Sequence, residues 1–189
     1  MILKNLKIFF TKCLWEQDPC GQHLGNKKNF NIIFIQEPSW MFICTISSFY
    51  NKNSNSLVGA PNHPNWITFS RSSNNDNEHS HIILYINTCP FHMYFALRKN
   101  IFNHRDICYF SFFNNDDIFF IINVYSDDCQ STLKYLKNTE VNIQNMLIMA
   151  GNFNIRDSNW DPSYSFHSIY TDSLLEIVDL FDLNLSCSI

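Results

Sequence analysis

A chain of 189 residues that is 46% hydrophobic and 16% charged is long enough to bury a real core as one domain and too apolar to be a disordered tail. The formal charge of −4 offers no basic footprint, so charge alone does not announce a nucleic-acid ligand; a nuclease that holds a metal among carboxylates is nevertheless acidic in the same way. Eighteen Phe demand a thick core, or surface that more chain covers.

Seven cysteines, Cys13, Cys20, Cys44, Cys89, Cys108, Cys129 and Cys187, are odd in number and never spaced as CxxC, which argues for reduced thiols in a nuclear or cytoplasmic setting. Cys13, Cys20 and His23 match no closed zinc spacing. The longest apolar runs fall well short of the roughly 18 residues that a membrane span needs. The start, MILKNLKIFF, has lysines within its apolar run and no small-residue cleavage site, unlike a signal peptide. No membrane partner is expected.

Residues 1–29 carry little pattern: Ile2, Leu3, Leu6 and Phe9 fit one face of a short helix, Leu6–Phe10 fits a short strand, and Asp18–Lys28 is a polar loop. From Phe30 the chain is decisive. FNIIFI is β-branched and aromatic, and Pro38 ends it because proline cannot donate to a sheet ladder, leaving Glu37 at the strand's C-terminal rim. Loop-rich sequence follows from 51 to 80, with a short strand near Trp66–Phe69 and another at Ile82–Ile86. His79 and His81 alternate but have no carboxylate partner and read as loop residues. ICYFSFF (107–113) and IFFIINV (118–124), separated by Asn114-Asn115-Asp116-Asp117, read as a hairpin whose second strand runs into Tyr125.

Ser131–Asn142 reads as an amphipathic helix, with Ser131 as cap and Leu133, Leu136, Val141 and Tyr135 on its apolar face. The run Met146, Leu147, Ile148, Met149, Ala150 reads as a buried strand that stops at Gly151 and presents Asn152 and Asn154 at its end. A rigid strand fixes whatever the following loop presents, so this end is the first place to look for chemistry; the simpler alternative is a core strand closing in a glycine turn. A last helix is expected at Ser173–Phe181, started by Asp172 and Ser173. No internal repeat or linker divides the chain.

Three strands thus end in Glu37, Tyr125 and Gly151-Asn152-Phe153-Asn154. If they converge on one rim, a carboxylate, a phenol and two carboxamides share a pocket suited to phosphoryl chemistry. Glu37 would hold a hard cation through oxygen, Tyr125 would donate to a phosphate oxygen, and Asn154 would orient a nucleophile or bind a non-bridging oxygen.

IIFIQEPSW, GAPNHPNW, LRKNIFNHRDI, INVYSD and MAGNFNIRDSNWD, in this order, resemble the endonuclease/exonuclease/phosphatase (DNase I-like) superfamily, in particular its non-LTR retrotransposon endonuclease branch of fungal type. The resemblance covers about Phe30–Leu185, a truncated domain at 30–189 preceded by a poorly matched segment at 1–29. It implies an α/β fold, a four-layer α/β/β/α sandwich with two packed mixed β-sheets, and Mg2+-dependent hydrolysis of a DNA phosphodiester by a monomer. By position, Glu37 resembles the metal-binding Glu of the QE motif, Tyr125 the phosphate-contacting Tyr, and Asn154 the Asn of the GDFN motif.

Asn152 stands where that motif has the Asp that polarises the attacking water. The family's first strand brings an Asn to the metal site, whereas here Thr11 and Lys12 follow Leu6–Phe10, and neither Asn5 nor Asn29 is a clear substitute. A closing Ser-Asp-His strand has no counterpart before Ile189, and His167 lies too early to replace its His. The resemblance therefore implies a domain incomplete at both ends, lacking C-terminal strands and leaving a sheet edge open, and inactive or severely weakened. The alternatives are a non-catalytic remnant that binds DNA or protein, and a marginally stable copy with no function. Arg156-Asp157 and Trp160-Asp161 either line the DNA-facing side or form a salt bridge and a solvated turn.

Overall fold

The computed structural model describes residues 6–12, 30–38, 45–46, 57–58, 64–70, 80–88, 94–114, 117–139, 146–161 and 163–184. Cys13, Cys20, His23, His79, Asn5 and Asn29, the loops at 18–28, 51–56 and 71–79, and Val141 lie outside the described residues. The chain forms two compact units, Met1–His92 and Met93–Ile189.

In the first unit, β1 (Ile8–Lys12), β2 (Ile32–Gln36), β5 (Trp66–Ser70) and β6 (Ile82–Asn87) form a mixed sheet in the order β1-β2-β6-β5, and β3 (Thr45–Ile46) pairs with β4 (Leu57–Val58). Every residue of β2 and β6 is buried, so both faces of these two central strands are covered. That is why these strands read as continuous apolar runs and not as alternating ones. Ile33, Ile35, Trp66, Ile83 and Tyr85 make one core cluster, with Phe9 and Phe30 packed against it. Phe10 stacks on Phe34, ring centres 4.8 Å apart. The N-terminal ambiguity resolves as a strand, displaced two residues from Leu6–Phe10. It runs parallel to β2 with Lys12 level with Gln36, so Lys12 closes β1 beside the residue that precedes Glu37.

In the second unit, β7 (Tyr94–Leu97), β8 (Ile107–Asn114), β9 (Asp117–Tyr125) and β10 (Met146–Asn152) form a second mixed sheet, in the order β10-β9-β8-β7. The expected hairpin is β8–β9, closing at Asn114↔Asp117. β9 and β10 are parallel, joined across a helix, α1 (Ser131–Asn138). A second helix, α2 (Ile169–Leu180), follows. Both helices pack on one face of the sheet: Leu133, Leu136, Leu174, Ile177 and Val178 share a core with Ile107, Tyr109, Ile122 and Val124. Lys137 and Glu176 pair across the helices, an exposed contact worth about 0–1 kcal/mol.

Three expectations are corrected here. β10 is an edge strand whose five apolar residues are half-buried, not core residues; an apolar run does not distinguish a central strand from an edge strand with one covered face. Ser131 is the first residue of α1 and not its cap. Gln130 holds the cap position in a left-handed conformation, and Asp127 accepts from both Ser131 N and Ser131 Oγ, at 2.9 and 3.0 Å. α2 begins four residues before Ser173, with Ser168 as cap accepting from Tyr170 N.

The early start of α2 depends on Asp157. Its fully buried carboxylate accepts from Asn159 N, Ser168 N and Thr171 Oγ1, and His167 Nδ1 lies 3.0 Å away. Asp157 is therefore neither a solvated turn nor a DNA-facing group; it ties the loop after β10 to the first turn of α2. His167 is a loop residue as expected, but its ring bridges two carboxylates, with Nε2 at 3.1 Å from Asp172.

Burial pushes the Asp157 carboxyl up, but the hydrogen bonds from Thr171, Asn159 and Ser168 and the neighbouring His167 outweigh it and hold the group at about 2. His167 is raised, first by its hydrogen bond to Asp172 and also by Asp157, against partial burial. A depressed carboxyl contributes stability above its unfolded pKa of 3.8 that is lost as pH falls toward 2; a raised imidazole contributes stability below 6.5 that is lost as pH rises through its folded value. The thermal midpoint should therefore be highest between these limits and decline as pH rises above 6.5. In His167→Gln, scanning calorimetry should find the alkaline side of that profile flattened.

Candidate functional site

β9 and β10 end level with each other: Asn152 is the register partner of Tyr125, and Gly151 that of Val124. A Cβ at Gly151 would lie 1.7 Å from the Val124 carbonyl oxygen, and Gly151 has φ +154. Only glycine lets the two backbones meet here. Past Gly151 the chain is secured to Ser126, the residue after Tyr125. Ser126 N donates to Asn152 O at 2.8 Å, and Asn154 Nδ2 donates to Ser126 O at 2.6 Å.

The two carboxamides are also coupled directly. Asn152 Oδ1 accepts from Asn154 N at 3.1 Å, a side-chain turn of the Asx type. Asn154 has φ 50, which asparagine tolerates better than most residues. With Nδ2 donating to Ser126, the carbonyl end of Asn154 remains to accept or to ligate. Buried Gln130 braces the loop: its Oε1 accepts from Ser126 Oγ at 2.8 Å and its Nε2 donates to Phe153 O at 3.1 Å. Nearly buried Tyr125 is fixed through its backbone, N donating to Asp106 O at 3.0 Å.

Glu37 belongs to the first unit, one residue past β2 as expected. It is half-buried, and its N donates to His81 O at 2.7 Å. Its φ of 47 is an uncommon conformation for a glutamate and is disfavoured again by the proline that follows. Among the described residues four non-glycines have positive φ, Glu37, Gln130, Asn154 and Asp182. Three of these four are two of the expected site residues and the brace of one of them. Such outliers persist where the surroundings over-determine them, commonly at functional sites.

Tyr125, Asn152 and Asn154 are thus brought together at one strand end of the second unit. Sequence reasoning missed Ser126 and Gln130, which hold them there. The signal for Gln130 was its place immediately before a helix, where Ser, Thr, Asp or Asn is the ordinary choice. Trp160 and Asp161 are used locally: Trp160 Nε1 donates to Ile155 O, and Asp161 accepts from Ser163 N and Oγ.

The fold as a whole is similar to a solved structure, the endonuclease domain of TRAS1, a telomere-specific non-LTR retrotransposon. The TM-score is 0.62 at 12% identity, covering 93% of this chain and 72% of that one. This chain has the DNase I-like endonuclease fold. The two mixed four-stranded sheets and two helices among its described residues are the α/β elements that the resemblance implied. No protein-family profile matches the sequence, and no curated protein does. Within the DNase I-like fold, the roles of single residues here rest on their own geometry, because 12% identity carries the fold and nothing finer.

The close approach at Gly151 is a strict requirement. Gly151→Ala should force β10 from Val124 and lower the unfolding free energy by about 1–3 kcal/mol, measured by urea denaturation, whereas Ala150→Gly should cost less.

Proposed function

We propose that the chain is a DNA endonuclease-like domain of non-LTR retrotransposon origin, dependent on a divalent metal, Mg2+ in particular, whose hydrolytic step is severely weakened by Asn152. The observation that supports the reading is the strand end itself, where Asn152 and Asn154 are held in one hydrogen-bonded loop beside Tyr125, in a chain whose fold is similar to a retrotransposon endonuclease domain. Glu37, at the end of β2 in the first unit, is the metal-holding carboxylate of this proposal.

The donor chemistry fits a hard cation. Mg2+ retains several waters and needs only one or two protein carboxylates besides substrate phosphates, and Glu37 is a half-buried carboxylate held in a constrained backbone. Glu37 would hold the ion, which when bound offsets charge on the phosphodiester. Tyr125 donates its phenol to a phosphate oxygen, and Asn154, fixed through Nδ2, turns its carbonyl toward the attacking water.

Asn152 positions Asn154 through Oδ1 but accepts no proton at neutral pH. Its amide therefore keeps the loop and loses the base, a difference of about 10²–10⁴-fold in rate. The same loss favours a second reading, a module that retains DNA binding without hydrolysis. Among the described residues no helix is long and apolar enough to cross a membrane, and the scattered thiols suit a nuclear or cytoplasmic setting.

Supercoiled-plasmid nicking in Mg2+ tests the reading. A carboxylate at position 152 preserves the bond to Asn154 N, so Asn152→Asp should fold normally. It should nick at least about tenfold faster than the parent, and adding Glu37→Ala should abolish the gain. Equal rates for the parent and Asn152→Asp, or a gain that survives Glu37→Ala, would overturn the proposal. Salt-sensitive DNA binding with no nicking in any variant supports the second reading.

A further inference from the structure

Between the Asn154 loop and the cap of α2 lies an open depression of about 370 Å³, lined by Asn154, Arg156, Tyr164, Phe166 and His167. Phe166 is 71% exposed, and Tyr164 meets it edge to face, ring centres 6.1 Å apart at 71°. Ile169, at the first position of α2, is exposed as well. A large aromatic ring steadied by a second ring and left open to solvent is unused by this unit's own core. The neighbouring carboxylates are largely occupied: Asp157 is buried with its acceptors taken, and Asp161 accepts from Ser163. Exposed Arg156 supplies the rim with a positive charge, while the His167 ring is engaged by Asp157 and Asp172.

We propose that Phe166, steadied by Tyr164, is a stacking platform for an unpaired base of the bound DNA, with Arg156 on the adjoining phosphate. This deepens the endonuclease reading and rests on it for the identity of the ligand. The chemistry selects a base over an aliphatic or peptide partner. A planar ring offers a π-face that any base can stack on, and a guanidinium matches phosphate. A base within an intact duplex already has both faces stacked, so the platform favours single-stranded or locally opened DNA. Because the depression includes Asn154, the stacked base would adjoin the phosphate presented to the strand end.

Fluorescence anisotropy of a labelled oligothymidylate and of an abasic oligomer of equal length and charge separates stacking from charge. Phe166→Ala should weaken binding of the base-bearing strand about tenfold and leave the abasic oligomer unchanged, while Phe166→Trp should retain both affinities. Arg156→Ala should weaken both strands and lower their salt dependence. Circular dichroism of each variant checks folding, which an exposed ring should not affect. Equal losses on the two oligomers, or no loss on either, would overturn the platform. A selective loss in Phe166→Ala while every variant fails to nick plasmid upholds the platform and sinks the hydrolytic reading. Nicking by Asn152→Asp with binding indifferent to Phe166 does the reverse.

Discussion

The parallel pairing of β9 and β10 is the constraint on which the second unit depends. It brings Gly151 against the Val124 carbonyl at a distance no side chain allows, and so sets Asn152 beside Tyr125. Once that register is fixed, Ser126 can both donate to Asn152 O and accept from Asn154 Nδ2, and Gln130 can close the ring. The helices follow from the same pairing. A parallel connection needs a crossover, which α1 provides, and α2 then packs with it on the same face of the sheet.

The strands β2, β6, β8 and β9 were legible because burial on both faces leaves a continuous β-branched and aromatic signature that polar turns interrupt. Glu37 and Tyr125 could be placed at strand ends for the same reason. The helix starts were not legible, since their determinants are not local. α2 begins at Ile169 because Asp157 accepts from residues 11 and 14 positions further on, and α1 begins after a left-handed glutamine with no side-chain cap. β10 looked like core because composition records how apolar a strand is and not how many neighbours it has. Family resemblance supplied the proposed role of the strand end, and periodicity supplied only its position.

Asn152 shows how one atom separates scaffold from chemistry. As an oxygen acceptor toward Asn154 N it does what a carboxylate would do for the loop, so the geometry of the motif survives. As a base it offers nothing at neutral pH. An amide at position 152 therefore keeps the loop whatever its chemistry, so likeness of fold to an endonuclease domain and the weakened hydrolysis proposed for this chain are compatible.

The proposal that bears most on function is that Glu37, held at the end of β2, is a ligand for a divalent metal. Paramagnetic broadening of assigned amide resonances by Mn2+, a substitute for Mg2+, tests it most directly. We predict that the Glu37 amide broadens at the lowest Mn2+ and that Glu37→Ala removes the effect. Broadening that survives Glu37→Ala, or that centres first on the exposed carboxylate of Asp172, would contradict it.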